Sequence, residues 1–478
     1  MRDPIDPFMP ALELAAAIRR QQVSPVEVVD MYLDRMDELD PRLNTFCHRA
    51  DDDVRKAARA AADAVVQASS TEDLPPFHGV PLPVKDLVDV AGWPTTHGSA
   101  GADRAPAAVS DPVVQRFVDA GFVLLGKTTT SEFGTVPFTE SPALGICRNP
   151  WNPDRTPGGS SSGAGASVAA GMAPIAHAAD GGGSIRVPAS CTGLVGLKPT
   201  RGLVTNVSAD SEGFATNGVL TRRVADTAAA LDVLARHDPA AWWSPPTRGR
   251  SFVSAMAEGP PTGLRIGVLV DSPVDGIEVD PACVAAVDAA VRTLESVGNH
   301  VVDLTIPLPP TSDLITAFMP IWNVSGAGVA LADPYRVEPH NRALRDAARA
   351  LDSWAYVEGV RKTQHLSRRI VEGFADHVDL LVTPTMACLP PPVGFWRTGA
   401  DEDALAPLVT SYPMVVFTSL FNVTGQPAIS VPIHHDDATG LPVGVQIVAA
   451  PWQEDLLLRV AHTLELSHPW CDRRPAVR

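Results

Sequence analysis

Lysine is scarce in this 478-residue chain. It occurs five times, at Lys56, Lys85, Lys127, Lys198 and Lys362, and arginine supplies the rest of the 38 basic residues. Against 55 acidic residues the net charge is −17, which excludes a basic surface of the kind that neutralises phosphates. No nucleic-acid partner is expected. Six cysteines (Cys47, Cys147, Cys191, Cys283, Cys388, Cys471) are scattered without a C-x-x-C pair, so a zinc site or disulfide framework is not indicated. They read as reduced thiols of a cytoplasmic protein. Apolar runs long enough to span a membrane are missing, and no signal peptide is visible at the N-terminus. The 13 histidines form no H-E-x-x-H pattern, and neither a metal nor a cofactor is expected. The scarcity of lysine makes each survivor informative, because lysine can give up its proton and arginine cannot.

What is present reads as α/β. Residues 9–68 are helical in pattern, with Ser24-Pro25 as cap and first turn and a second, alanine-rich helix at 51–68. Residues 80–84 and 122–125 are strand-like and flank a helix opened by Asp111-Pro112, with an apolar face of Val113, Val114, Phe117 and Val118. The same grammar recurs with strands at 264–270 and 301–306 around a helix opened by Asp280-Pro281. Residues 237–262 read as a surface connection, 312–376 as the longest helical region and 388–402 as a loop. Strands at 427–432 and 444–449 and a helix at 453–466 close the chain. Alternating strands and helices imply a largely parallel or mixed sheet covered on both faces.

Two glycine-framed serine segments carry the chemistry. The first runs from Pro157 through Ser160, Ser161 and Ser162 to Gly163, and the second is Asp180-Gly181-Gly182-Gly183-Ser184-Ile185-Arg186. Glycine lets a backbone turn tightly and bring its N–H groups close to a ligand. A nucleophilic serine needs such donors for the oxyanion formed on attack. The letters G-x-S-x-G occur at 159–163, but the preceding residues signal a loop, not the strand that a hydrolase elbow requires. P-loop letters at 121–128 enclose strand-like apolar residues instead of a phosphate loop. Lys85 stands in apolar sequence, and burial there lowers its pKa toward that of a general base. A pairing of Lys85 with Asp86 at a strand end is the other reading of that residue.

The segments His78 to Asp86, the two serine loops, Gly193 to Thr200, Phe421 to Ala428 and Gly440 to Ile447 together resemble the amidase signature family over nearly the whole chain. The resemblance implies a single domain over 1–478 with a central mixed, twisted sheet covered by helices. Within it lie an N-terminal helical segment at 1–70, the catalytic signature core at 71–236, the connection at 237–262, and the remaining sheet and pocket helices at 263–478. Matched residue by residue, Ser184 corresponds to the nucleophile, Ser160 to a bridging serine after a cis peptide bond, and Lys85 to the base. The amides of Gly181, Gly182, Gly183 and Ser184 correspond to the oxyanion hole. Ser161, Asp180 and Arg186 fall at supporting positions, Glu132 at a loop anchor, and Lys198 at a structural position. His97 and His177 read as packing or pocket-wall residues.

Two departures mark the chain: Gly181 replaces the commoner threonine, and Ser162 stands where glycine is commoner. The form Asp-Gly-Gly-Gly-Ser is similar to that of cyclic-amide (nylon oligomer) hydrolases and some aryl acylamidases. Phe318, Met319, Ile321, Trp322, Trp354, Tyr356, Phe395 and Trp396 are candidates for an aromatic pocket wall. The resemblance implies an amidase, and an apolar, aromatic cleft of this kind suits aryl or alkyl amides, with carbamates or esters as further substrates; a monomer or homodimer is expected. The alternative is the A subunit of a glutamyl-tRNA amidotransferase, a glutaminase that needs a partner subunit. That branch carries glutamine after Ser-Ile-Arg, where this chain has Val187. A non-catalytic scaffold conflicts with the joint presence of Lys85, Ser160 and Ser184.

Overall fold

The structure is a computed structural model that describes residues 5–205, 213–241, 243–245, 247–304 and 310–477. The expected N-terminal helical stretch divides into α1 (Ala11–Arg19), α2 (Pro25–Leu43) and α3 (Asp51–Gln67). Ser24 caps α2 by accepting from the Val26 N–H, while Glu27 reaches back to the Ser24 N–H at 2.8 Å and Pro25 fills the first turn. Asn44, in the left-handed conformation, ends α2, and the chain passes through β1 (Phe46–His48) before α3 begins.

The strand carrying Lys85 does not belong to the main sheet. β2 (Pro81–Lys85) runs parallel to β3 (Val123–Thr128), which pairs antiparallel with β1, so that three strands form a sheet of their own. The crossover between β2 and β3 contains α4 (Pro112–Asp119), whose buried face is Val113, Val114 and Phe117. Val118, expected on that face, is exposed, because it lies about 100° round the helix from Phe117. A short hairpin, β4 (Glu140–Ser141) and β5 (Gly145–Ile146), follows.

The main sheet is mixed, as expected. Its eight strands are β6 (Ile175–Asp180), β7 (Val195–Lys198), β8 (Thr216–Thr221), β9 (Arg265–Val268), β10 (His300–Val301), β11 (Leu380–Pro384), β12 (Ala428–Asp436) and β13 (Leu441–Ala449). They stand in the order β10-β9-β11-β13-β12-β7-β8-β6, with β9 parallel to both neighbours and the other pairs antiparallel. The strand expected at 301–306 pairs only through His300 and Val301, and its last two residues lie outside the described residues.

Among the helices around this sheet are α5 (Ser162–Ala169), α6 (Arg186–Thr192), α7 (Val224–Leu234), α8 (Phe252–Met256) and α9 (Pro281–Ser296). Every residue of β13 is buried, which requires cover on both faces. Val443, Val445 and Ile447 join the core that contains Ala286, Val287, Ala290 and Leu294 of α9. Gly444, turned the other way, donates its N–H to Ser190 Oγ of α6 at 3.0 Å, and a Cβ there would fall 2.7 Å from that side chain. The segment 237–262 is more than a surface connection. Asp232 of α7 accepts the Phe252 N–H at 2.6 Å, and Phe252 and Met256 enter the main core.

The long helical region resolves into α10 (Thr311–Val324), α11 (Pro339–Ala350) and α12 (Ser353–His377). Pro339 opens α11 and Asp352 caps α12 by accepting from the Ala355 N–H at 2.7 Å. No helix among the described residues is long and apolar enough to cross a membrane.

Candidate active site

The C-terminal ends of β2 and β6 and the N-terminus of α5 converge on Lys85, Ser160 and Ser184. Lys85 closes β2 and is buried. Its Nζ donates to Ser160 Oγ at 2.7 Å and to the Ala179 carbonyl at 3.1 Å. Asp86 is not its partner. Successive strand side chains point to opposite faces, and the Asp86 carboxylate instead meets Lys127 Nζ at 3.0 Å and accepts from Thr96. Burial lowers the Lys85 pKa to about 7, with the Asp180 carboxylate opposing the shift. The amine is therefore poised between its two protonation states near neutrality.

Ser160 follows a cis peptide bond after Gly159, as the resemblance implied. The next two hydroxyls tie its loop down. Ser161 Oγ donates to the Ser184 carbonyl at 2.6 Å, and Ser162 Oγ donates to the Gly158 carbonyl at 2.6 Å while accepting from Thr139 at 2.7 Å. Ser184 stands between β6 and α6 and is mostly buried. No hydrogen bond joins the hydroxyls of Ser160 and Ser184 among the described residues, so of the expected relay only the Lys85–Ser160 link is made in this structure.

Asp180 and Arg186 organise the loop between them. Arg186, fully buried, grips the Asp180 carboxylate with two nitrogens at 2.9 Å each. Its remaining reach goes to Thr418 O (2.9 Å), Gln446 Oε1 (2.7 Å) and Asn422 Oδ1 (2.6 Å). Burial alone pushes the Asp180 carboxyl up, but Arg186, Asn422 and Lys198 together hold it well below the usual carboxylate range. Asp180 in turn accepts the N–H groups of Gly183 at 2.7 Å and Ile185 at 3.1 Å. This corrects one expectation: the Gly183 amide is committed to Asp180. Gly181, Gly182 and Ser184 are the loop amides without a partner among the described residues.

Gly183 has φ +137°, and a Cβ there would overlap the Thr418 hydroxyl, which donates to the Gly182 carbonyl at 2.7 Å. Gly183→Ala is expected to displace the loop and lower kcat by about a hundredfold, the scale of an ångström-sized misplacement. Steady-state kinetics beside a circular-dichroism spectrum that matches the parent would show it.

Of the expected wall residues, Trp322 lies closest to the loop. A methyl on Gly181 or Gly182 would meet its ring at 3.7 Å. Phe318 packs on Trp322 at 5.3 Å between ring centres and on Phe214 at 5.6 Å. Phe395 and Trp396 form a second group around Phe138, at 5.4 and 5.6 Å, with Trp396 Nε1 donating to Glu140 at 2.9 Å. Phe395 also packs against the cluster that contains Val187 and Cys191 of α6. Met319 is half-buried, Ile321 is core and Trp354 is 66% exposed. Tyr356 is half-buried near the start of α12.

Glu132 fulfils the anchor expectation. It accepts from Ser99 (2.6 Å), the Glu338 N–H (2.8 Å) and Asn341 (2.9 Å), tying α11 to the turn whose Gly134 lies over Ser160. His97 supplies the carbonyl that accepts the Phe133 N–H at 2.8 Å. Lys198 donates only to Pro199 O, at 2.9 Å, among the described residues; burial lowers its pKa to about 7 as well. Two cavities, of about 660 and 150 Å³, lie away from the serines; the larger is an open cleft of mixed character, lined by Val109, Ser110, Pro112, Arg116, Arg236 and His237. All six cysteines are unbridged, and no cluster among the described residues has the make-up of a metal site.

A family model described as Amidase matches residues 27–458. A 6-aminohexanoate-cyclic-dimer hydrolase of a Pseudomonas species is 35% identical over 493 residues, covering 98% of this chain and 97% of that protein. The structure of a 6-aminohexanoate cyclic dimer hydrolase complexed with substrate superposes with a TM-score of 0.91 at 34% identity, covering 99% of this chain and 100% of the other. A bacterial aryl acylamidase of the amidase signature family does so with a TM-score of 0.86 at 27% identity, covering 98% and 99%.

Proposed function

Since the chain belongs to the amidase signature family and is a hydrolase acting on amides, we propose that it works through an acyl-enzyme on Ser184, with Ser160 and Lys85 as the proton relay. The observation that carries this reading is the buried Lys85 amine, 2.7 Å from Ser160 Oγ and neutral above about pH 7. In its neutral form the amine lone pair accepts the Ser160 proton, and Ser160 in turn accepts the proton of Ser184 as that oxygen attacks the carbonyl. Contacts of this kind commonly tighten only once substrate is bound. The negative charge on the tetrahedral oxygen falls to the unpaired amides of Gly181, Gly182 and Ser184, each such donor contributing about 3–4 kcal/mol to the barrier reduction. Collapse breaks the C–N bond, the leaving amine takes the proton back through Ser160, and water then hydrolyses the acyl-enzyme.

The stack of Trp322, Phe318 and Phe214 beside Gly181 supports aryl substrates: anilides first, and aryl carbamates, which pass through the same tetrahedral chemistry. The absence of a side chain at Gly181 leaves room between the loop and that stack. A fluorophosphonate is expected to form one adduct, on Ser184, found by peptide mass. Unlabelled enzyme from the same preparation is expected to release aniline from an anilide. An adduct on another residue, or none, overturns the reading. Incubation with an aryl carbamate decides the narrower question, and no aniline above the background of labelled enzyme removes carbamates from the substrate class.

A further inference from the structure

The base is gripped at two points by a strand of the neighbouring sheet. β2 is an edge strand of the three-stranded sheet and β6 an edge strand of the eight-stranded one; they pack together without a ladder between them. Asp86 N–H donates across to Thr128 of β3, at 3.2 Å. The Lys85 N–H points the other way, where no strand among the described residues offers it a carbonyl. His177 of β6 fills that place: its Nδ1 accepts the Lys85 N–H at 3.3 Å in a fully buried setting. His177 Nε2 meets Asn217 Oδ1 of β8 at 3.0 Å. Because Nδ1 accepts, the ring proton sits on Nε2 and is donated to Asn217. Two residues further along β6, the Ala179 carbonyl accepts from Lys85 Nζ at 3.1 Å and from Ser161 Oγ at 3.3 Å. One strand therefore registers both the main chain and the amine of Lys85, and its next residue, Asp180, opens the loop of Ser184.

We propose that His177, steadied by Asn217, is a positioning residue that sets the Lys85 amine against Ser160 and exchanges no proton with the substrate. The inference rests on the reading of Lys85 as the base. Both ring nitrogens are committed, so neither is free to take a proton from a serine. The charged groups around the ring are Lys85 itself and Lys127, the latter paired with Asp86. Burial first, then these two cations, against the Asn217 hydrogen bond, press the imidazole down to about 4, and it stays neutral throughout the working range. Its removal would leave the Lys85 N–H a buried donor without an acceptor and free the end of β2 to shift.

The test compares His177→Leu, which fills the space without an acceptor, with His177→Gln, whose amide oxygen restores one. With an anilide, the leucine variant is expected to lose about 10- to 100-fold in kcat, with KM within about twofold of the parent, because the base moves and the substrate site does not. The rising limb of its pH–rate profile is expected to shift from the parent position. Glutamine is expected to recover most of kcat and return the limb. A leucine variant with parental kcat and limb overturns the proposal, and so does a glutamine variant as slow as leucine at matched thermal stability. Should leucine fail to fold, Asn217→Ala reads the same split with the ring still present; kcat unchanged there overturns it equally. Failure of the underlying reading looks different: Ser184 in the parent takes no fluorophosphonate, and Lys85→Met turns over as the parent does.

Discussion

Lys85→Met is expected to lower kcat for an anilide by about three to four orders of magnitude, leaving the residual rate that a correctly shaped site retains when its proton acceptor is lost. In the parent, kcat/KM is expected to rise with pH through about 7, because below that value the buried amine is protonated and has no lone pair for Ser160. In the variant this limb disappears together with the rate. Lys198 also titrates near 7, so the assignment needs Lys198→Met beside it; that variant is expected to keep the limb, since Lys198 donates to Pro199 O and touches neither serine. For this substitution, stability moves the opposite way from activity. The native state keeps the Lys85 amine neutral down to about 7, whereas the unfolded chain binds that proton up to 10.5. The unfolded state is thus favoured progressively as pH falls from 10.5 to 7, and the cost is complete below 7. Methionine removes it, so Lys85→Met is expected to unfold at a higher temperature than the parent at pH 6 while being nearly inactive. Scanning calorimetry and a pH–rate profile settle both halves. An undiminished rate at neutral pH would sink the reading of Lys85 as base.

How much of this was legible beforehand depends on whether a residue acts through its sequence neighbours or across the fold. Ser160 and Ser184 stand out because glycines frame them, and Lys85 because apolar residues surround a rare lysine. The α/β grammar gave the strand–helix–strand units around α4 and α9. Which strands pair was not legible, since apolar alternation is the same for either sheet; hence β2 proved to belong to a separate three-stranded sheet. Cap signals were available inside 312–376, at Glu338-Pro339 and Asp352, and they divide the region as caps do elsewhere. The commitment of Gly183 to Asp180 was hidden, because the sequence shows three equivalent glycines and only the bend of the loop distinguishes their amides. Asn422 and Gln446 were missed for a plainer reason: they lie 236 and 260 positions from Arg186. Their only trace was a polar residue inside an otherwise apolar motif, at Phe421–Val423 and Val445–Ile447. His177 read as packing because a lone histidine in a strand carries no sign of what its ring accepts.

Arg186→Met is expected to destabilise the protein by about 3–5 kcal/mol, the scale of a buried pair broken on one side. The change leaves the Asp180 carboxylate in the interior without its cation and strips partners from Asn422, Gln446 and the Thr418 carbonyl. Lysine does not substitute, because a single ammonium cannot reproduce the planar fork that spans two carboxylate oxygens and three further acceptors. Asp180→Asn is expected to cost a comparable amount, and the double variant less than the sum, since each single change leaves a charge that the other removes. Chemical denaturation of the three variants measures this; strict additivity would mean that the two side chains do not act as a pair. Activity should fall with stability in every case, because Asp180 fixes the amides of Gly183 and Ile185 and so aims the neighbouring donors. The pH dependence separates this pair from the base. Arg186 and its neighbours hold the Asp180 pKa below its unfolded value, so its contribution to stability is present above the unfolded pKa and is lost only as pH falls through the lower, native one. A loss of rate between pH 8 and 6, with a midpoint that stops falling once pH has passed below about 7, therefore belongs to Lys85, and a loss that follows the midpoint into strong acid belongs to Asp180.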